Sequence, residues 1–113
     1  MKTNEYGVPL DHNGYAPSIL QEIPGVCHLC FRSDEKLDRH EVFGGADREK
    51  SKRLGLWVLL CHKTHHIFGP AAVHNCRAAD LALKREAQEK AMTHYGLTTE
   101  EFIRLFGRNY REE

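Results

Sequence analysis

The sequence predicts an α+β domain with its strands in the middle, its helices at the end and a metal to pin them. Three observations carry this. KLDRHEVF and LWVLL are short apolar stretches bounded by glycines, the pattern of half-buried and buried strands. From about residue 76 the chain changes to CRAADLALKREAQEKAMTHYG, which is made of good helix formers. Between these regions, cysteines and histidines crowd at metal-ligand spacing, as CHLC at 27–30 and CHKTHH at 61–66.

The bulk properties set the frame. A chain of 113 residues fits one domain with a modest core, for which a metal is a useful staple. Sixteen Lys and Arg balance sixteen Asp and Glu. That balance argues against a uniformly positive surface but leaves room for a local basic patch. The first residues, MKTNEYGVPLDHNGYAP, contain no apolar signal segment, and no apolar run reaches the length of a membrane span. The expectation is a cytoplasmic protein with no membrane partner. In a reducing compartment, four cysteines read as metal ligands rather than disulfides.

Taken in order, residues 1–25 are turn-rich and read as an irregular arm, with a short helical turn at SILQEI. Residues 26–113 form the zinc-stabilised domain. CHLC is a tight knuckle. KLDRHEVF is a strand stopped by Gly44 and Gly45, and GGADREKSKRLG is a loop. LWVLL, residues 56–60, is a buried strand, and Cys61 onward is helical or loop-like until Gly69 and Pro70. In the long helix that follows, Leu83, Ala87 and Ala91 recur on one face, and Gly96 is a natural stop. Thr98 and Glu101 fit a capping box for a last short helix, whose apolar residues are Phe102, Ile103, Leu105 and Phe106 and which Gly107 ends.

Zinc wants a tetrahedron of soft or borderline donors. Cys27 and Cys30 supply two, and Cys61 arrives at the end of a returning strand. Thr64 stands where a second CxxC would complete the set, but it is a poor ligand. His65 lies one helical turn after Cys61 and can converge on the same ion. Cys76 is the rival fourth ligand. Several histidines then remain. His66 must point away from its neighbour, and His40 sits on the first strand where the two can face each other. His62 and His74 are further candidates, whereas His12, His28 and His94 read as surface or capping residues. A second, catalytic metal would need ligands such as these. Arg39 and the loop residues Arg48, Lys50, Lys52 and Arg53 are candidate phosphate contacts beside it.

CHLC, RHEVFGG, LWVLLC and THH, in this order, resemble the HNH nuclease family. RHEVFGGADREKSKRLGLWVLLC, the VHN at 73–75, the AQ-containing helix and EEFIRLFGRNY look like small HNH-type proteins of phages and prophages. The resemblance covers about residues 26–110. It implies a ββα-metal core with a zinc knuckle, DNA phosphodiester cleavage with Mg or Mn, and a role in phage DNA recombination or packaging in a bacterial cytoplasm. His40 matches the first metal-binding position and His66 the histidine after the second zinc pair. Glu41 stands where the family usually has its general-base histidine. The asparagine that usually opens the second strand is absent, and the second zinc pair is Cys-x3-His.

The leading expectation is therefore a metal-dependent endonuclease using His40, Glu41 and His66, with His40, His66 and His74 around the catalytic ion. His40 could instead be the base, the ion then being held by His66 with His74 or His62. Two other readings stand beside it: a zinc-stapled DNA- or protein-binding module without cleavage, and a structural domain that docks through its C-terminal helices.

Overall fold

An antiparallel strand pair, β1 (Leu37–Glu41) and β2 (Trp57–Cys61), lies at the centre of the computed structural model, which describes residues 2–112. The register pairs Leu37 with Cys61, Asp38 with Leu60, His40 with Val58 and Glu41 with Trp57. Side chains alternate across a strand, and residues opposite one another share a face. One face therefore carries Asp38, His40, Val58 and Leu60, and the other carries Arg39, Glu41, Trp57 and Cys61. Both strands are offset from the expected ones, because Val42, Phe43 and Leu56 lie outside the paired residues while Cys61 lies inside.

The connection between the strands is not the solvated loop that its charges predict. Residues Gly45–Asp47 form a 3-10 turn that leads into α1 (Arg48–Arg53). Ser51 drives this difference. It is fully buried, its hydroxyl accepts from the Phe43 N–H at 3.0 Å and donates to the Leu56 carbonyl at 2.9 Å. One inward hydroxyl thus satisfies both ends of the crossover, and the charged residues project from the other sides of a single helical turn.

The helices follow the sequence closely. In α2 (Arg77–Tyr95) the buried residues Leu83, Ala87 and Ala91 form the predicted stripe. Gly96 ends it and Gly107 ends α3 (Thr99–Phe106), both in left-handed backbone. At the start of α3 the Thr98 hydroxyl accepts from the Glu101 N–H while the Glu101 carboxylate accepts from the Thr98 N–H, a complete capping box. Phe102 and Phe106 are buried against Phe43, whose ring centroid lies 4.6 Å from that of Phe106. Ile103 stays exposed. Gln88 is buried with its amide fully used: it donates to Asn109 Oδ1 at 2.8 Å and accepts from the Tyr110 N–H at 2.7 Å, tying the C-terminal residues to α2.

The described residues of the N-terminal segment form no regular helix or strand, yet they are stitched to the domain. Asn4 donates to the Arg53 carbonyl, the Ala16 N–H to Lys52, and the Ile19 N–H to Gly55, and Leu20 enters the core. The helical turn expected at SILQEI is absent. Instead the Ser18 hydroxyl accepts from the N–H groups of Leu20 and Gln21 and donates to the Trp57 carbonyl, an alternative to helix that serine supplies readily. Among the described residues no helix is long and apolar enough to cross a membrane.

Gly55 is the contact point between this segment and the strand pair. Its φ is +72°, and a Cβ there would stand 2.3 Å from the Pro17 carbonyl oxygen. Gly55→Ala is expected to cost at least about 2 kcal/mol of unfolding free energy in urea titrations, through backbone strain and displacement of the segment.

Candidate metal centres

Cys27, Cys30, Cys61 and His65 bring three sulfurs and one ring nitrogen within 4.8 Å of one another, close enough to hold a metal ion. Cys27 Sγ lies 3.6 Å from His65 Nδ1, and Cys30 Sγ lies 3.5 Å from Cys61 Sγ. The knuckle between the first two cysteines closes through a 2.8 Å hydrogen bond from the Phe31 N–H to the Cys27 carbonyl. That closure puts Phe31 at a φ of 64°, a conformation that a residue with a bulky side chain adopts only under constraint. Cys76 belongs to no cluster among the described residues. It sits at the start of α2.

The thiols show why this donor set suits a cation. Burial raises the pKa of Cys27, but N–H groups of Cys61, Cys30 and Leu29 pointing at its sulfur outweigh this and bring it below the ordinary thiol value. Cys61 goes the other way, pushed up to about 12 by burial and by hydrogen bonds to Cys30 and Cys27. A metal-free cluster thus keeps protons on some of its sulfurs. A divalent ion removes that conflict, since coordinated thiols lose their protons.

Directly beside this cluster, His65 and His66 diverge. Residues His62–Ile67 form a π-type turn, which adds a residue to the helical repeat and sends neighbours in directions an α-helical turn would not. The turn is capped by Glu35, whose Oε1 accepts from the N–H groups of Lys63 at 2.7 Å and Thr64 at 3.2 Å. It is closed tightly at Gly69, where a Cβ would meet the Thr64 oxygen at 2.1 Å. The returning chain then runs along it. The Val73 N–H donates to His65 O at 2.9 Å and the His74 N–H to His66 O at 3.2 Å, which seats His74 against His66.

The result is a second cluster. One ring nitrogen from each of His40, His66 and His74 lies within 4.8 Å of the other two. His66 Nε2 and His74 Nε2 are 3.1 Å apart. His40 is only 6% exposed, and its Nε2 has no hydrogen-bond partner. A buried ring nitrogen without a partner is costly unless something binds it. Burial, with the nearby rings of His66 and His74, holds the His40 pKa down to about 4, so the ring is neutral at neutral pH.

Asp38 is the residue that the sequence reading missed. Its Oδ2 accepts from His66 Nδ1 at 2.7 Å and from His62 Nδ1. Burial would raise this carboxyl, but hydrogen bonds from His66 and His62 hold it below the usual range. Holding the Nδ1 proton leaves the His66 Nε2 lone pair facing His40 and His74, the carboxylate–histidine arrangement common around metals. The available signal was spacing, since Asp38 is two residues before His40 and so shares its strand face. His62 joins Asp38 and His66 in a third group of donor atoms that shares His66 with the second. His28, in the knuckle between Cys27 and Cys30, belongs to neither cluster and makes a 2.9 Å ion pair with Glu86.

The histidine cluster opens into a cleft of about 420 Å³ lined by cations and acids: Arg39, Arg48 and Lys84 with Glu41 and Asp80. Arg48 Nε donates to Glu41 at 2.6 Å, and Lys84 pairs with Asp80 at 2.8 Å. The other basic residues of the crossover face elsewhere. Lys50 reaches the Leu105 carbonyl, Lys52 lies over the Tyr15 ring, and Arg53 pairs with Glu5. Arg39 and Arg48 are therefore the members of the predicted phosphate-contact set that border the cleft.

The fold and its sites define a small α+β chain with a Cys3His cluster and a histidine cluster back to back. No family model, no curated protein and no solved structure matches it.

Two expectations follow from the geometry. Cobalt(II), used as a spectroscopic probe, is expected to give a thiolate charge-transfer band that is lost in Cys61→Ser, weakened in His65→Ala and unchanged in Cys76→Ala. Asp38→Asn is expected to weaken manganese binding at the histidine cluster by about 10–100-fold, read by electron paramagnetic resonance, while leaving the cobalt–thiolate band intact.

Proposed function

We propose that the chain is an HNH-type endonuclease with a ββα-metal core, in which Cys27, Cys30, Cys61 and His65 hold a structural zinc and the histidine cluster holds the catalytic ion. The observation that carries this reading is the convergence of His40, His66 and His74 around an unpartnered buried nitrogen, at the base of a cleft whose walls carry both cations and acids. Three sulfurs and one imidazole are a common structural zinc set. An all-imidazole set favours a transition ion over magnesium, which prefers oxygen donors.

A divalent ion in the second centre supplies Lewis-acid polarisation of a phosphate and stabilises the charge of the leaving oxygen. The chain's own groups do the rest. Arg39, Arg48 and Lys84 seat the DNA backbone in the cleft. Glu41 accepts a proton from the attacking water once Arg48 turns from its carboxylate to a phosphate. Asp38 keeps His66 in the ligand tautomer. Attack at phosphorus breaks a P–O bond of the backbone, with contacts confined largely to phosphate and hence little sequence readout. Such a protein would act in phage DNA recombination or packaging.

A second reading, a zinc-stapled binding module without cleavage, draws on one feature. Both Arg48 and Lys84 are already paired to acids in the cleft. Supercoiled plasmid separates the two. With manganese, magnesium or nickel the wild-type chain is expected to nick it, and His40→Ala and His66→Ala to lose well over about 100-fold, since even changes behind a metal ligand cost 10–100-fold. Wild type and variants equally inert in every metal would rule the endonuclease out.

A further inference from the structure

Arg39 belongs to the wall of the cleft, but its guanidinium rests on the aromatic pair outside it. Its Cζ lies 4.1 Å from the Tyr15 ring centroid and 4.5 Å from that of Trp57. The two rings meet edge to face at 5.8 Å. The Trp57 ring and the Tyr15 backbone are each held by the N-terminal segment. The Trp57 Nε1–H donates to the Ala16 carbonyl at 2.8 Å, and the Tyr15 carbonyl accepts from the Asp11 N–H at 2.9 Å. Beyond them a groove of about 290 Å³ runs along Tyr15 and Trp57 between Leu10 and Pro17. The cleft and this groove therefore meet at one Arg–Tyr–Trp cluster. The Arg39 side chain stays 37% exposed there, with Asp11 at 3.6 Å as its acidic neighbour.

Such a cluster is more than the phosphate contact that charge alone would assign. A guanidinium already packed against two aromatic rings is pre-ordered, and an unstacked base can pack on the same cluster. Bases inside a duplex are stacked on each other and do not offer their faces. We propose that Arg39, Tyr15 and Trp57 form a stacking subsite for single-stranded DNA, so that the strand entering the histidine cleft is unpaired on the Arg39 side. This rests on the endonuclease reading for what happens in the cleft, but the binding itself does not require cleavage.

Trp57 is the single tryptophan of the chain and reports on its own site. The full chain, without added divalent metal, is titrated with a short oligothymidylate and with a blunt duplex of equal length while Trp57 fluorescence is followed. The single strand is expected to quench Trp57 and to bind at least about tenfold tighter than the duplex. Arg39→Ala is expected to weaken single-strand binding by about tenfold or more. Arg39→Lys, which keeps the charge but lacks the plane, is expected to be as weak as Arg39→Ala. Circular dichroism is expected to show both variants folded. A duplex that binds as tightly as the single strand, or an Arg39→Lys variant with wild-type affinity, overturns the subsite. Plasmid nicking in the same preparations reports separately. A chain that nicks while Trp57 ignores oligothymidylate overturns the subsite alone, and one that binds oligothymidylate without nicking in any metal overturns the endonuclease alone.

Discussion

Two adjacent histidines serve opposite sides of this molecule, and most of its construction is what that demands. His65 completes the cysteine cluster and His66 the histidine cluster. An uninterrupted α-helical turn would separate their directions by a fixed rotation of about 100° per residue, set by the helical repeat of 3.6. The π-type turn changes that rotation, and the chain stabilises it with a carboxylate cap from Glu35, a glycine at 69 and the returning Val73–His74 backbone. The strand pair does the same with its pleat. Cys61 and Arg39 lie on one face and Asp38 and His40 on the other, so neither cluster draws on the other's side of the sheet.

This arrangement ties the two clusters to each other. The cysteine cluster ties the knuckle to the end of β2, and from there the chain enters the turn that carries His62, His65 and His66. A metal bound by the four residues of that cluster would add folding free energy and also fix where His66 stands. On the other side Asp38 holds His66 from behind, and burial keeps His40 neutral. The buried Ser51 and Gln88 show the same economy elsewhere: each polar side chain satisfies two backbone or side-chain groups that the fold would otherwise leave unpaired.

The legible parts of the sequence were those governed by local rules. Helix α2, its Leu83–Ala87–Ala91 stripe and the Thr98–Glu101 capping box depend on spacing within a few residues, and they stand as read. The Cys27–Cys30–Cys61–His65 grouping also follows from spacing along one knuckle and one turn, and these atoms do converge. What stayed hidden depends on distant partners. DREKSKR looks like a loop because its charges dominate its composition, whereas a single inward serine makes it helical. SILQEI looks helical until Ser18 takes its own backbone as a partner. Asp38 carries no motif, and its role emerges only when β2 and the π-type turn bring His62 and His66 to it. The basic crossover likewise hid how many of its charges are spent on the protein itself.

Two donor clusters, one of cysteines with a histidine and one of histidines, stand back to back across the strand pair, and the proposed reading makes each a metal centre. A crystal grown with zinc and soaked in manganese, with anomalous scattering recorded at both absorption edges, tests it directly. The account predicts a zinc peak among Cys27, Cys30, Cys61 and His65 and a separate manganese peak among His40, His66 and His74. A zinc peak shared between the two clusters, or a histidine cluster that takes no ion at saturating manganese while Asp38 and His66 keep their contact, would contradict it.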